Sequence, residues 1–259
     1  MSNVSSELRN LDLINAAKQH YEKQQRTKVP PIVVALPSKG LIYPESSILR
    51  QGSVEMRYMT AYDEDILTNV TYIKTGVVFD KLLESLVVTP GVNVNEISAT
   101  DRDGLIISAR IHAYGNLYPV TVTDPKTQNS INRDVDLSKL KFKAFTLIPD
   151  ANGEFEYVFS DNGNTLKFRY LTTEASKNLD PDRSISNLLE LSIMEINGNR
   201  DKNIIAEYIK FDMRALDAKK FRSYISDNLP GLDLNVQFEG EDGGTFDAMF
   251  QLSADLFWF

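Results

Sequence analysis

Between residues 60 and 115 the apolar side chains recur at the period of an α-helix, in three successive patterns with almost no loop between them. Thr60 with Asp63 three residues on has the form of a capping box, so a helix is expected to start there. Its first turn carries Asp63, Glu64 and Asp65, where the helix dipole favours acids, and Lys74 with Gly76 marks its end. Ile66, Leu67, Val70 and Ile73 make its apolar face. A second helix is expected from the stripe Phe79, Leu82, Leu83 and Leu86, stopped by Pro90-Gly91. A third runs from Thr100 to Tyr114 and is apolar on nearly every side through Leu105, Ile106, Ile107, Ala109, Ile111 and Ala113, which places it at the buried centre.

After Gly115 the period switches to two. Leu117, Val120 and Val122 alternate with polar residues, Asp124-Pro125-Lys126-Thr127 turns the chain, and Val135, Leu137, Leu140 and Phe142 form the return. Further strands are expected at 144–148, 155–159 and 166–171, with turns at Asp150-Ala151-Asn152-Gly153 and Asp161-Asn162-Gly163-Asn164. Helical spacing resumes at Ile185, Leu188, Leu189, Ile193 and Ile196, stops at Asn197-Gly198, and continues over 204–209 and 215–225 until Pro230-Gly231. A last hairpin pairs 234–238 with 246–252. It echoes the first: Val120-Thr121-Val122 and Asp136-Leu137-Ser138 before Phe142 correspond to Val236-Gln237-Phe238 and Gln251-Leu252-Ser253 before Phe257.

Ahead of these parts, Ser5 or Ser6 caps a stripe of Leu8, Leu11, Ile14 and Tyr21 on an otherwise polar rod. So narrow a stripe is stable as a helix when something packs on it, so this segment either docks on a partner or folds onto its own chain. Pro30, Pro31, Pro37 and Pro44 then impose extended geometry, giving an arm or edge strand followed by a short strand at 53–59. The expected fold is α+β: a central helical core (about 60–115 and 173–228) with inserted antiparallel β-hairpins, an extended Pro-rich N-terminal arm and a C-terminal β-hairpin. The corresponding segments are 1–28 (amphipathic helix), 29–59 (arm and strand), 60–115 (helical core), 116–172 (β insertion), 173–228 (helical part) and 229–259 (hairpin with aromatic terminus).

A chain of 259 residues with 42% hydrophobic residues can bury a sizeable core. Its net charge of −8 argues against a nucleic-acid partner, which is held chiefly by Lys and Arg on phosphates. After Arg222 there is no Lys or Arg, while seven acids follow from Asp227 to Asp255. No cysteine is present, so disulfides and thiolate metal sites are excluded. The first residues lack a basic-then-apolar signal, and no apolar run approaches the ~18 residues of a membrane span, so the chain is expected to be soluble and to stay where it is made.

Candidate chemistry is sparse. Asp63, Glu64 and Asp65 are consecutive on one helix and therefore point apart, which suits helix-start electrostatics better than acid/base or metal work. His112 is expected as a packed core residue and His20 as a solvated one. The Asp-Asn-Gly turns lack the alternating acids and distal Glu of a calcium loop, and Ser38-Lys39-Gly40 lacks the spacing of a phosphate loop. No catalytic residue, cofactor site or metal site is expected.

One ordered set of residues resembles a known family. Leu36-Pro37-Ser38-Lys39-Gly40-Leu41-Ile42-Tyr43-Pro44, Val54-Glu55-Met56-Arg57 with Met59-Thr60, Glu64-Asp65-Ile66-Leu67-Thr68 and Lys81-Leu82-Leu83 are similar to the baseplate hub and hub-assembly proteins of T-even-type contractile-tailed phages. The resemblance is closest over 30–86 and looser through 193–198, 204–205 and Pro230-Gly231. It implies a protein-binding role in tail assembly, either as a hub component or as a factor that assembles the hub without remaining in the virion, with other baseplate or hub proteins as partners, in the host cytoplasm during assembly and, for a hub component, in the virion. Similar proteins carry paired cysteines in their hairpins that suggest a zinc knuckle; here that position is Asp124-Pro125-Lys126-Thr127, so the hairpin must hold by packing. The expected partner anchors are Leu8, Leu11, Ile14, Leu36, Tyr43, Phe257, Trp258 and Phe259, apolar groups of the kind that dominate interfaces. For the aromatic terminus an internal site, against Leu234, Val236 and Phe238, is the other reading. The competing functional classes are a baseplate-associated cell-wall-degrading enzyme and a regulator or chaperone unrelated to phage.

Overall fold

The computed structural model describes residues 29–161, 163–249 and 254–257. Strand β1 (Ile32–Ala35) pairs antiparallel with β2 (Ser53–Met56), Val34 opposite Val54, so that Val34, Val54 and Met56 face the core. Between the two strands the chain does not stay on the surface. It turns through Leu36, Ser38, Ile42 and Tyr43, all buried, and a 3-10 turn at Ile48–Gln51.

Helix α1 (Ala61–Leu67) begins as its sequence predicts, with the Asp63 carboxylate accepting the Thr60 N–H at 2.8 Å. It is not continuous to Gly76. Asn69 Oδ1 accepts from the N–H groups of Thr71 and Tyr72 and restarts the chain as a separate helix, α2 (Val70–Lys74). The break rotates the second half outward: Ile66 and Leu67 are core residues, whereas Val70 is 62% and Ile73 45% exposed. Helix α3 (Val78–Leu86) follows, its Leu82, Leu83 and Leu86 fully buried. It ends before Pro90 because Val87 bridges to Met56 and the Val88 N–H reaches the Glu55 carbonyl, which extends the small β1–β2 sheet.

Helix α4 (Ala99–Tyr114) starts ahead of the expected Thr100 because Ser98 is its cap, its hydroxyl accepting the Asp101 N–H at 3.2 Å. Leu105, Ile106, Ile107 and Ala109 are buried as anticipated. So is Arg110, which the apolar pattern does not suggest. Gly115, at φ +88°, closes the helix.

Strands β3 (Leu117–Thr123) and β4 (Ser130–Asp136) form the first hairpin, so the return strand comes earlier than the Val135 to Phe142 alternation indicated. No strand forms at 144–148. Lys141 and Lys143 instead exchange backbone hydrogen bonds with Asp233 and Gly231, and Phe145 is drawn onto Phe155 and Tyr170. Strands β5 (Phe155–Val158), β6 (Thr165–Phe168) and β7 (Ile193–Ile196) make a three-stranded antiparallel sheet in the order β5-β6-β7. Here the helical reading of Ile193 and Ile196 fails. Helix α5 (Thr173–Lys177) and helix α6 (Ser184–Ser192) precede β7, and the Ser192 carbonyl is taken by the Arg169 N–H at the sheet edge, so the chain leaves the helix in extended form. Asn197 and Gly198, at φ +48° and +83°, supply the turn out of β7.

Helix α7 (Lys202–Glu207) runs into a π turn at Tyr208–Asp212 and is followed by α8 (Ala215–Asp227). Phe221 and Tyr224 of α8 pack on Tyr157 and Phe168 at ring separations of 4.8 to 6.1 Å. The strands at 155–168 therefore hold some of the most deeply buried aromatic groups and are not peripheral. The last hairpin, β8 (Asn235–Glu239) and β9 (Thr245–Met249), lies against the first. Asp124 joins their tips: one carboxylate oxygen accepts the Lys126 N–H and the other the Glu241 N–H across 117 residues. Lys126 pairs with Asp242 and Asn129 with Glu241 in the same place. A single cluster of buried apolar residues runs from Val34 to Phe257, in an α+β fold.

Candidate docking surfaces

The residues that carry the resemblance build internal staples. The Leu36 to Tyr43 turn is held by Asp101: its carboxylate accepts the Ser38 N–H at 2.8 Å, the Ser38 hydroxyl at 2.6 Å and the Tyr43 hydroxyl at 2.6 Å. The Tyr43 oxygen in turn accepts the Ser98 N–H at 3.0 Å. Burial pushes the Asp101 carboxyl up, against the pull of Ser38 and Tyr43, and burial also raises the Tyr43 phenol. Two glycines make the fit possible. Gly40 has φ +77° and a Cβ there would meet the Arg50 carbonyl at 2.5 Å; at Gly104 of α4 a Cβ would meet Pro37 Cγ at 2.6 Å.

The Glu55-Met56-Arg57 strand end and the α1 start form a second staple, in which Arg57 grips both oxygens of Asp63 at 2.7 Å and Ser85 of α3 donates to the same carboxylate. Burial alone would raise the Asp63 carboxyl, but Arg57, the Thr60 N–H and Ser85 outweigh it and hold the group below its ordinary value. In the third, Asp80 of α3 accepts from Arg102 at 2.9 Å and from Lys177 of α5. In the fourth, buried Glu154 is shared by Arg169 and Arg200. Buried Arg110 donates to the carbonyls of Leu256, Gly115 and Leu117 and lies over the Tyr114 ring at 5.2 Å.

These contacts locate the expected anchors. Leu36 and Tyr43 are 0% and 5% exposed and face the interior, so in this conformation they offer no surface to a partner. Phe257 is buried as well, packed on Phe79 and Tyr114 with ring centroids 6.0 and 6.4 Å away, in the same apolar cluster as Phe238. Leu8, Leu11, Ile14, Trp258 and Phe259 lie outside the described residues, as does His20. Large apolar groups that do face outward include Val33 on the outer strand β1, Tyr62 of α1, Val70 of α2, Phe211 of the π turn, Leu216 of α8 and Ile148. The apolar spacing does not reveal them, because Val70 fits a continuous helix face that the Asn69 cap interrupts and Phe211 has no partner stripe to mark it.

Chemistry remains sparse at the described residues. Asp63, Glu64 and Asp65 diverge, Asp63 into the Arg57 staple and Glu64 to the Tyr114 hydroxyl at 2.8 Å. His112 is not a core residue; it is exposed, beside the Ser108 carbonyl and edge-on to Tyr58. Asp150 accepts the Asn152 and Glu154 N–H groups as a turn former. Among the described residues no group of three His, Cys, Asp or Glu side chains is placed to hold a metal, and no helix is long and apolar enough to cross a membrane.

The model of the T4 bacteriophage base plate protein family matches residues 32–256, nearly the whole described structure. The chain belongs to this family. It is therefore a phage baseplate protein, a kind that works among other tail proteins in the virion tail. The matched region begins at β1 and ends within the short 3-10 turn at Ala254–Phe257, so it takes in all four staples and both hairpins. No curated protein and no solved structure matches the chain.

Proposed function

We propose that this baseplate protein acts at the hub, as a hub component or as a factor that assembles the hub, and that it does so by docking to other hub proteins in the host cytoplasm. The observation that carries this reading is the division of labour in the molecule. The residues similar to hub proteins are consumed in holding the fold, while large apolar groups such as Val33 and Phe211, both 71% exposed, are left outside. Such groups are anchors for partner pockets, and a rigid scaffold presenting them suits assembly better than catalysis. Leu8, Leu11, Ile14, Trp258 and Phe259 complete the set of anchors in this reading, and no cofactor is needed.

Mass spectrometry of purified virions tests it. A fixed copy number per tail supports a hub component, and absence from virions combined with loss of hubs on gene deletion supports an assembly factor. Intact hubs in the deletion strain would overturn both. Zymography on cell-wall material addresses the enzymatic alternative, and a clearing zone that survives purification of the chain would replace docking by hydrolysis.

A further inference from the structure

A groove of ≈320 Å³ opens between the first turn of α4, residues 169–171, and helices α5, α6 and α8, within the size range of ligand-binding clefts. Leu171, Leu179, Leu188 and Ile225 line it, with Arg169 and Arg222 as its charged groups. In a protein of net charge −8, this lining holds two arginines and no carboxylate. Arg222 forms no ion pair among the described residues, its Nε donating to the Ala218 carbonyl at 3.2 Å. Arg169 gives one nitrogen to Glu154, while its buried Nε has no acceptor among the described residues. A buried donor without an acceptor is costly, and an apolar cleft lined by one such donor, Arg169 Nε, and by Arg222, which has no ion pair among the described residues, fits an apolar segment that carries acids.

The chain holds such a segment. Residues 1–28 lie outside the described residues and precede Val29. At the helical period Leu8, Leu11 and Ile14 form one stripe, Glu7 falls inside that stripe and Asp12 on its border. Residues 15–28 would reach about 46 Å when extended, more than twice the radius of gyration of ~18 Å expected for a compact chain of this length. We propose that residues 7–14 dock in this groove of their own chain, apolar side on the leucines and acids toward Arg169 and Arg222. The segment then keeps its apolar side covered until assembly. The inference concerns the free chain and does not depend on the hub reading.

The absence of cysteine allows a direct test in the full-length protein. One variant carries Leu11→Cys with Ser226→Cys at the groove rim, and a control carries Leu11→Cys with Ser130→Cys on β4. Under mild oxidation the rim pair should close within one chain about tenfold faster than the control, as expected for a held segment. Adding Arg222→Asp should slow closure several-fold, and Asp12→Arg in that background should restore it. Equal rates for the two pairs would overturn the proposal. A disulfide-linked dimer would also overturn it, since the groove would then take a second copy's segment. Should Ser226→Cys disturb folding, Ser176→Cys on the opposite wall replaces it with the same expectations.

Discussion

The Tyr43 hydroxyl donates to the Asp101 carboxylate at 2.6 Å across 58 residues of chain, and both groups are buried. Removing Tyr43 leaves Asp101 only its bonds from Ser38, and removing Asp101 leaves the buried Tyr43 hydroxyl without its carboxylate acceptor. Tyr43→Phe is expected to cost about 1–3 kcal/mol of stability in urea unfolding, and Ser38→Ala a similar amount. Because both bonds end on one carboxylate, either change combined with Asp101→Asn should cost less than the sum of the single effects. Strict additivity would mean that the staple does not act as a unit.

Two carboxyls give opposite pH dependences. Asp63 is held below its ordinary 3.8, so its contribution is present above that pH and is lost as acid protonates it in the folded state. Asp103 is pushed up to about 6 by burial, against the pull of Arg102, so its contribution is present below 3.8 and is lost as pH rises through about 6. Asp103→Asn should therefore be more stable than the parent at pH 8, by about 1–2 kcal/mol since the group is only partly buried, and nearly equal to it at pH 4. A constant difference at both pH values would locate the effect in packing and not in charge.

Leu83 of α3 and Phe168 of β6 test whether the helices and the three-stranded sheet share one core. Leu83→Ala is expected to cost about 2–5 kcal/mol and Phe168→Ala about 3–5 kcal/mol, each in a single unfolding transition followed by circular dichroism. Two transitions, with each substitution moving only one of them, would show that the buried cluster is divided.

The chain end is part of the fold through Phe257 and through the Leu256 carbonyl that accepts from Arg110 at 2.7 Å. Deleting residues 256–259 should lower the melting temperature and solubility beyond the effect of Phe257→Ala, because the deletion also removes that carbonyl from a buried guanidinium. Unchanged melting with lost hub-protein co-purification would assign the end to a partner instead.

Much of the local structure was legible from residues a few positions apart. The Thr60–Asp63 start, the Leu82, Leu83 and Leu86 stripe, the Gly115 stop and the two hairpin turns all follow from contacts within a turn or between adjacent strands, where spacing alone decides geometry. The two hairpins also meet in space, since Asp124 accepts the Glu241 N–H and brings their tips together. Other features depended on partners that spacing cannot identify. Ile193 and Ile196 carry a helix-compatible spacing and became strand because β6 offered an open edge. Val70 fits an apolar face and turned outward because Asn69 caps a new helix. Leu36 and Tyr43 were read as partner anchors and are buried because Asp101 lies a long way down the chain and close by in space. An aromatic or a carboxylate looks the same in sequence whether its partner is another subunit or another part of the same chain; that choice is made by topology, once burial decides which polar groups must find each other.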